Sequence, residues 1–279
     1  MHNTLMNKLA TEKRVQIVSA LVEGNSLRST ARMTDVAFNT ALKLLPEIGK
    51  ACAEYQDRVL RNLPCKRIQC DEIWSFCYAK EKNLPEKKKG NYGFGDIWTW
   101  VALCADTKLV PCWMVGRRDG EYAKLFIRNL ASRLSNRVQL TTDGHRAYLD
   151  AIEGAFGSEV DYAMLVKLYT TDPTLEGKYS PGECCGTRTQ KISGEPEEEN
   201  ISTSFVERQN LTLRMCLRRF TRLTNAFSKK IQNHEHAISL HYMHYNFARI
   251  HKSLRITPAM AAGVSDHAWN MEEIVNLLD

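Results

Sequence analysis

Residues 67–79 read RIQCDEIWSFCYA. Ile68, Cys70, Ile73, Trp74, Phe76 and Cys77 make this an apolar stretch rich in β-formers, so a strand is predicted. Two acids, Asp71 and Glu72, interrupt it. A carboxylate inside such a strand carries a desolvation cost unless it meets a cation, a hydrogen-bond donor or a metal. Adjacent residues of a regular strand point to opposite faces, so only one of the two acids is expected to look into a given pocket. The strand by itself does not say which.

Downstream, residues 96–105 (DIWTWVALCA) and 109–116 (LVPCWMVG) read as two further strands, giving three consecutive antiparallel strands. Between the first two lies KEKNLPEKKKGNYGFG, a basic, Gly-bearing loop that is expected to be solvated or to touch phosphates. An amphipathic helix follows over 121–134, on Tyr122, Leu125, Phe126, Ile127, Leu130 and Leu134. VQLTT at 138–142 is a short buried strand that ends at Asp143-Gly144, where a turn is expected. A strand end suits a catalytic acid, and an Asx-turn or helix cap would use Asp143 equally well. His145 is a candidate contact to substrate or a scissile phosphate, or else an ordinary surface histidine. Three strands, a helix and a fourth strand ending in an acid are the order of an RNase H-like core, a mixed sheet flanked by helices in the α+β or α/β class.

Upstream, apolar residues recur at helical intervals from Thr11 to Leu45, and three short helices fit. Gly24 ends the first, Ser26 caps the second, and Thr34 or Asp35 caps the third. This is the layout of an all-α helix-turn-helix domain, with Asn39, Thr40 and Lys43 facing outward, although a plain three-helix core has the same pattern. The expected domains are a helix-turn-helix over 1–50, a helical linker over 51–64, and a catalytic domain over 65–279. An irregular surface insertion at about 172–204 is expected inside the last of these.

From Phe205 to Arg255 the pattern returns to helix. On a wheel, Val206, Leu213, Leu217 and Phe220 share one stripe, with Glu207, Arg214 and Arg218 on the face beside it. The segment 204–255 holds ten Lys or Arg against Glu207 and Glu235, a net +8 where the whole chain carries +6. That concentration suits a phosphate backbone. Arg208, Arg214, Arg218, Arg222, Lys229 and Lys230 are the candidate DNA contacts. Tyr242, Tyr245 and Phe247 are expected in the core.

Asp71, Asp143 and Glu207 are the candidate catalytic and metal-binding acids. Phosphoryl transfer on DNA uses two divalent cations about 4 Å apart to activate the attacking oxygen and stabilise the leaving one. Mg²⁺, with Mn²⁺ as a substitute, takes carboxylate oxygens. The nine cysteines form no CxxC pair of a zinc ribbon and are expected mostly as buried apolar groups. The first residues lack the apolar run of a signal peptide, and a soluble, cytoplasmic, nucleoid-associated protein is expected.

CDEIWSF around Asp71, TTDGHRAY around Asp143, SFVERQNLTLRMCLRRFTRLTNAFSKK from Ser204 and YNFARIHKSLRITPAMAAG from Tyr245 together resemble the transposases of the insertion-sequence-one family, which are bacterial DDE enzymes. The resemblance covers most of residues 65–263. It implies an RNase H-like fold and Mg²⁺-dependent nicking at the inverted-repeat ends of the element. It further implies strand transfer by the freed 3′-hydroxyl and a homodimer or larger synaptic assembly on double-stranded DNA. It chooses Asp71 over Glu72 and makes Asp71, Asp143 and Glu207 the metal ligands, with Arg214 at a position where the family carries a basic residue. Two departures stand out: the family's common N-terminal zinc ribbon is missing here, and the interval from Asp143 to Glu207 is longer than in compact members. A catalytically inactive or domesticated DNA-binding protein and an RNase H-like host nuclease are the alternative functions.

Overall fold

The computed structural model describes residues 9–169, 184–221 and 225–279, which group into two compact units. One comprises residues 61–73 and 99–209, the other residues up to 60, 74–98 and 210–279.

The first unit holds most of the sheet. Its strands are β1 (Arg67–Cys77), β2 (Gly95–Cys104), β3 (Cys112–Gly116), β4 (Val138–Thr142), β5 (Val160–Tyr169) and β6 (Cys184–Ser193), in the order β3-β2-β1-β4-β5-β6. β4 pairs in parallel with β1 and β5, while β5 and β6 are antiparallel. Parallel neighbours need crossovers. Here α4 (Gly120–Ala131) precedes β4, and α5 (Ala147–Phe156) joins β4 to β5. The two helices pack on each other and bury Phe126, Ile127, Leu130, Tyr148 and Ile152. Asp119 caps α4 by accepting from the Tyr122 amide at 3.0 Å.

The expected irregular insertion is corrected in part. Residues 184–193 form β6, a ribbon with β5 that is exposed at nearly every position. Such a strand has no buried face, so it leaves no alternation of apolar residues to read. The remainder of that stretch up to 183 lies outside the described residues.

The second unit is mainly helical. α1 (Thr11–Val22) and α2 (Leu27–Met33) are followed by α3 (Phe38–Val59), and Ser26 caps α2 as expected, accepting from the Ser29 amide at 3.0 Å. Neither Thr34 nor Asp35 caps α3, whose N-cap is Ala37. Thr34 instead closes α2, donating its hydroxyl to the Thr30 carbonyl at 2.8 Å, and Asp35 takes φ 49° in the turn. α3 runs through Pro46 without a break, so residues 46–59 continue one long helix. Leu44, Leu45, Ile48 and Cys52 form its buried stripe, which compensates the amide lost at the proline.

The helical stretch predicted over 205–255 is likewise divided. α6 (Ser204–Cys216) ends before a 3-10 turn at Arg218–Phe220, and α7 (Ile231–Met243) continues into a π-turn at His244–Ala248. α8 (Pro258–Ala261) and α9 (Met271–Val275) complete the described helices. Tyr242, Tyr245 and Phe247 are buried as expected, and α9 packs on α1. Among the described residues no helix is long and apolar enough to cross a membrane.

α3 and α7 touch backbone to backbone at Gly49. A Cβ there would lie 2.5 Å from the His236 Cβ and 2.6 Å from its carbonyl oxygen. Alanine would improve helix propensity by about 1 kcal/mol, but forcing a methyl group into main-chain atoms costs more. Gly49→Ala is therefore expected to destabilise the fold by about 1–3 kcal/mol. Urea denaturation reads this, and a midpoint at or above that of the parent would contradict the close approach.

Candidate active site

Arg67, Ile68, Gln69 and Cys70 of β1 stand opposite Gln139, Leu140, Thr141 and Thr142 of β4. One step further in that register sets Asp71 beside Asp143, which follows the last residue of β4. Like charges side by side on neighbouring strands repel unless a cation intervenes. A third acid joins them: one carboxylate oxygen each of Asp71, Glu72 and Asp143 lie within 4.8 Å of one another.

The expectation that only one of Asp71 and Glu72 reaches the pocket is thereby corrected. Asp71 is half-buried and Glu72 buried. Asp143 lies past the end of β4, where no strand separates the two faces. A side chain from either face can approach it.

Glu72 is fully buried at its side chain. Its Oε2 accepts from Arg118 Nε at 3.1 Å, and Arg118 reaches on to Asp143 Oδ2 at 3.7 Å. Arg118, from the turn between β3 and α4, thus bridges two of the acids. Burial first, and then the charge of Asp143, push the Glu72 carboxyl up to about 7. Arg118 opposes that shift, as does Tyr148, whose hydroxyl is near Glu72 but makes no hydrogen bond of normal geometry. Glu72 Oε1 is buried with no partner.

Asp143 Oδ1 accepts from the backbone amide of His145 at 3.0 Å, so the Asx-turn arrangement is present together with the clustering of acids. The His145 ring is half-buried between Trp100 and Tyr148, at centroid distances of 5.8 and 6.0 Å. Burial and then the charge of Arg118 lower its pKa.

Glu207 lies in the first turn of α6, and β1 fixes where that turn begins. Gln69 Oε1 accepts from the backbone amides of Phe205 and Val206 at 2.9 and 3.0 Å, supplying an acceptor to two of the unpaired amides of a helix start. The Glu207 carboxylate accepts from Thr203 Oγ1 at 2.5 Å and forms an ion pair with Lys167 of β5. This pair is open to solvent, with side chains 36% and 32% exposed. Burial lowers the Lys167 pKa, but Glu207, then Tyr169 and Asp71, outweigh it and raise the value. The Lys167 ammonium therefore feels both Glu207 and Asp71. Glu207 is not among the three acids that lie within 4.8 Å of one another.

The donor set suits a hard divalent cation. It consists of carboxylate oxygens, one of them buried without a partner, and no sulfur or imidazole is among them. Asp71, Asp143 and Glu72 are close enough to share such an ion.

The remaining candidates are spread over other surfaces. Asn39 and Lys43 are exposed and Thr40 half-buried at the start of α3. Arg208, Arg218, Lys229 and Lys230 are exposed and Arg214 is half-buried. Arg214 is in the last turn of α6 and Arg218 beyond its end, so the shared helix face predicted for Glu207, Arg214 and Arg218 does not extend to Arg218. Arg222 lies outside the described residues. Six of the nine cysteines are buried.

The buried carboxyl gives a pH prediction. Glu72 has a folded pKa of about 7 against an ordinary 4.5, so the folded state holds its proton more tightly than the unfolded chain. Its contribution is fully present below pH 4.5 and is lost as pH rises through 7. The loss is about 3 kcal/mol at most, from about 1.4 kcal/mol per unit. In chelator-containing buffer Glu72→Gln should remove this decline, so denaturation midpoints of variant and parent should diverge between pH 5 and pH 8. Parallel profiles would count against a strained carboxylate.

The strand order, the mixed pairing and the flanking helices define an RNase H-like core. No family model matches the chain, and no curated protein matches it. Its structural neighbours include the piggyBac transposase synaptic complex with hairpin DNA, at 10% identity and a TM-score of 0.44 over 97% of this chain and 72% of that one. The Mos1 strand transfer complex follows at 12% identity and a TM-score of 0.24, over 84% and 77%. The Mos1 mariner paired-end complex with Mn is also similar, at 12% identity and a TM-score of 0.21, over 55% and 59%.

Proposed function

We propose that this chain is a DDE transposase of an insertion sequence, with the insertion-sequence-one family as the family its motifs resemble. The observation that carries this reading is the convergence of Asp71, Asp143 and Glu72 at the ends of the parallel β1–β4 pair, on an RNase H-like sheet. Asp71, Asp143 and Glu207 are the proposed catalytic and metal-binding residues, for two Mg²⁺ or Mn²⁺ ions. Bound there, such cations would polarise the scissile phosphodiester and lower the pKa of an attacking water or 3′-hydroxyl.

The chain's own residues do the rest. Asp71 and Asp143 present oxygens side by side from a rigid sheet. Arg118 holds Glu72 and Asp143 in place and limits their mutual repulsion. Gln69 fixes the first turn of α6, and Glu207 with it. Lys167, now paired with Glu207, is a cation that a metal could displace from the carboxylate and a phosphate could draw to itself. The exposed Asn39 and Lys43 with Thr40 would contact element ends, and Arg208, Arg214, Arg218, Arg222, Lys229 and Lys230 the phosphate backbone. A homodimer or larger assembly would bring two ends together, in the cytoplasm.

The test is an assay of cutting and joining with labelled inverted-repeat ends, target duplex and Mg²⁺ or Mn²⁺. Metal-dependent nicking followed by end joining is expected. Nicking of unrelated or hybrid duplexes without joining would favour a host nuclease, and binding without any nicking an inactive DNA-binding protein.

A further inference from the structure

Beyond Ile73, β1 continues into an extension, residues 74–98, whose surface is built from lysines and aromatic rings. Lys88 Nζ lies 3.8 Å from the centre of the Tyr78 ring and 4.1 Å from that of Phe94. Lys80 Nζ lies 5.8 and 5.9 Å from Trp74 and Phe76. The rings brace one another, with Trp74 and Phe76 at 5.7 Å, Tyr78 and Phe94 at 5.6 Å, and Phe76 and Phe227 at 5.0 Å. Lys80, Lys82 and Lys89 also line an open recess of about 510 Å³ beside Trp74, together with Glu81 and Asp96.

The acids of the extension pair with backbone amides or with Lys89. Glu81 and Asp96 clasp each other's backbone: Asp96 Oδ1 accepts from the Glu81 amide at 3.1 Å, and Glu81 Oε2 from the Asp96 amide at 3.4 Å. Glu86 pairs with Lys89 at 2.5 Å. Among the described residues Lys80, Lys82, Lys87 and Lys88 have no carboxylate partner. Two of these four, Lys80 and Lys88, are held against ring faces, where an ammonium keeps its full charge and loses part of its rotamer freedom before any ligand arrives.

We propose that the 74–98 extension is a sequence-independent docking surface for the phosphate backbone of duplex DNA, gripped by Lys80, Lys82 and Lys88. The proposal rests on the reading of the chain as a DNA-acting enzyme and adds a surface outside the proposed helix-turn-helix, adjoining the basic segment after Ser204 through Phe76 and Phe227. Charge complementarity names the ligand, because residues 74–98 carry five lysines against three acids, a net +2, and among the described residues Lys80, Lys82, Lys87 and Lys88 form no ion pair. Duplex is favoured over single strands because the lysines already occupy faces of Trp74, Phe76, Tyr78 and Phe94 on which bases would stack.

The test measures the affinity of the full chain for a random-sequence duplex as a function of salt, for the parent, Lys80→Gln/Lys88→Gln and Lys80→Arg/Lys88→Arg. Two lost phosphate contacts should make the slope of log affinity against log salt shallower by about 2, with about a tenfold or greater loss of affinity near 0.1 M salt. The arginine pair should retain the parental slope, since it keeps the charge and the ring contact. Equal slopes for parent and glutamine variant would overturn the proposal. So would an equally large loss measured on anionic vesicles together with none on duplex, or a larger loss on single strands than on duplex. A parent that shows the full slope but nicks no DNA would overturn the transposase reading and leave this surface standing.

Discussion

Asp71→Asn is expected to abolish both nicking and end joining while leaving DNA affinity within about twofold and the fold intact. Asp71 is half-buried, and it stands beside Asp143 across a parallel strand pair, with Glu72 in the same cluster. Removing its negative charge lessens repulsion within the cluster, so stability should hold or rise slightly. The chemistry behaves differently. A cation held by charged oxygens supplies several kcal/mol to the transition state, and an amide oxygen keeps the shape of the ligand but not its charge. With each 1.36 kcal/mol worth a factor of ten, the rate should fall by about three orders of magnitude or more. Single-turnover cleavage of a labelled end, read together with a binding isotherm, separates the two effects. A variant that nicks within tenfold of the parent would remove Asp71 from the reacting centre.

What the sequence discloses about this site follows the range of the interactions involved. Asp71 is legible because its conflict is local: an acid within RIQCDEIWSFC must find a partner. Asp143 is legible as an acid at a strand end. That the two stand side by side is a matter of register between β1 and β4, strands some seventy residues apart, and no local pattern encodes it. Strand alternation admits only one of Asp71 and Glu72 to the pocket and the resemblance chooses Asp71, but alternation loses force where the neighbouring strand stops. Arg118 lies in a turn, and without knowledge of the fold nothing marks it as the bridge between two carboxylates. The helical linker expected over 51–64 is the continuation of α3, whose helix buries enough on both sides of Pro46 to run on to Val59. Glu207 was correctly read as helical and bordering an apolar stripe, since Val206 and Leu213 are buried. Its partner Lys167 comes from a different strand and leaves no trace in the helical wheel.

Gln69 carries no local signal of its role, and its substitution has the second large effect. A glutamine two residues before Asp71 reads as an ordinary polar side chain, yet it is 3% exposed and its Oε1 accepts two backbone amides at the start of α6. Gln69→Leu fills nearly the same volume but offers no acceptor. The Phe205 and Val206 amides would then lose their partner next to a buried Val206 side chain, at about 1–3 kcal/mol for each group that stays out of water. A loss of about 2–4 kcal/mol in folding stability is expected, unless the first turn of α6 unwinds to reach solvent. Unwinding would displace Glu207, which belongs to that turn, so the variant should lose either stability or Mg²⁺-dependent nicking. Gln69→Glu separates positioning from bulk packing. Its carboxylate can accept the same two amides, and negative charge at a helix N-terminus is favourable. Amide hydrogen exchange at Phe205 and Val206 should therefore accelerate in Gln69→Leu and remain protected in Gln69→Glu. If exchange were equally slow in the leucine variant, the start of α6 would be held by packing alone, and β1 would not be what positions Glu207.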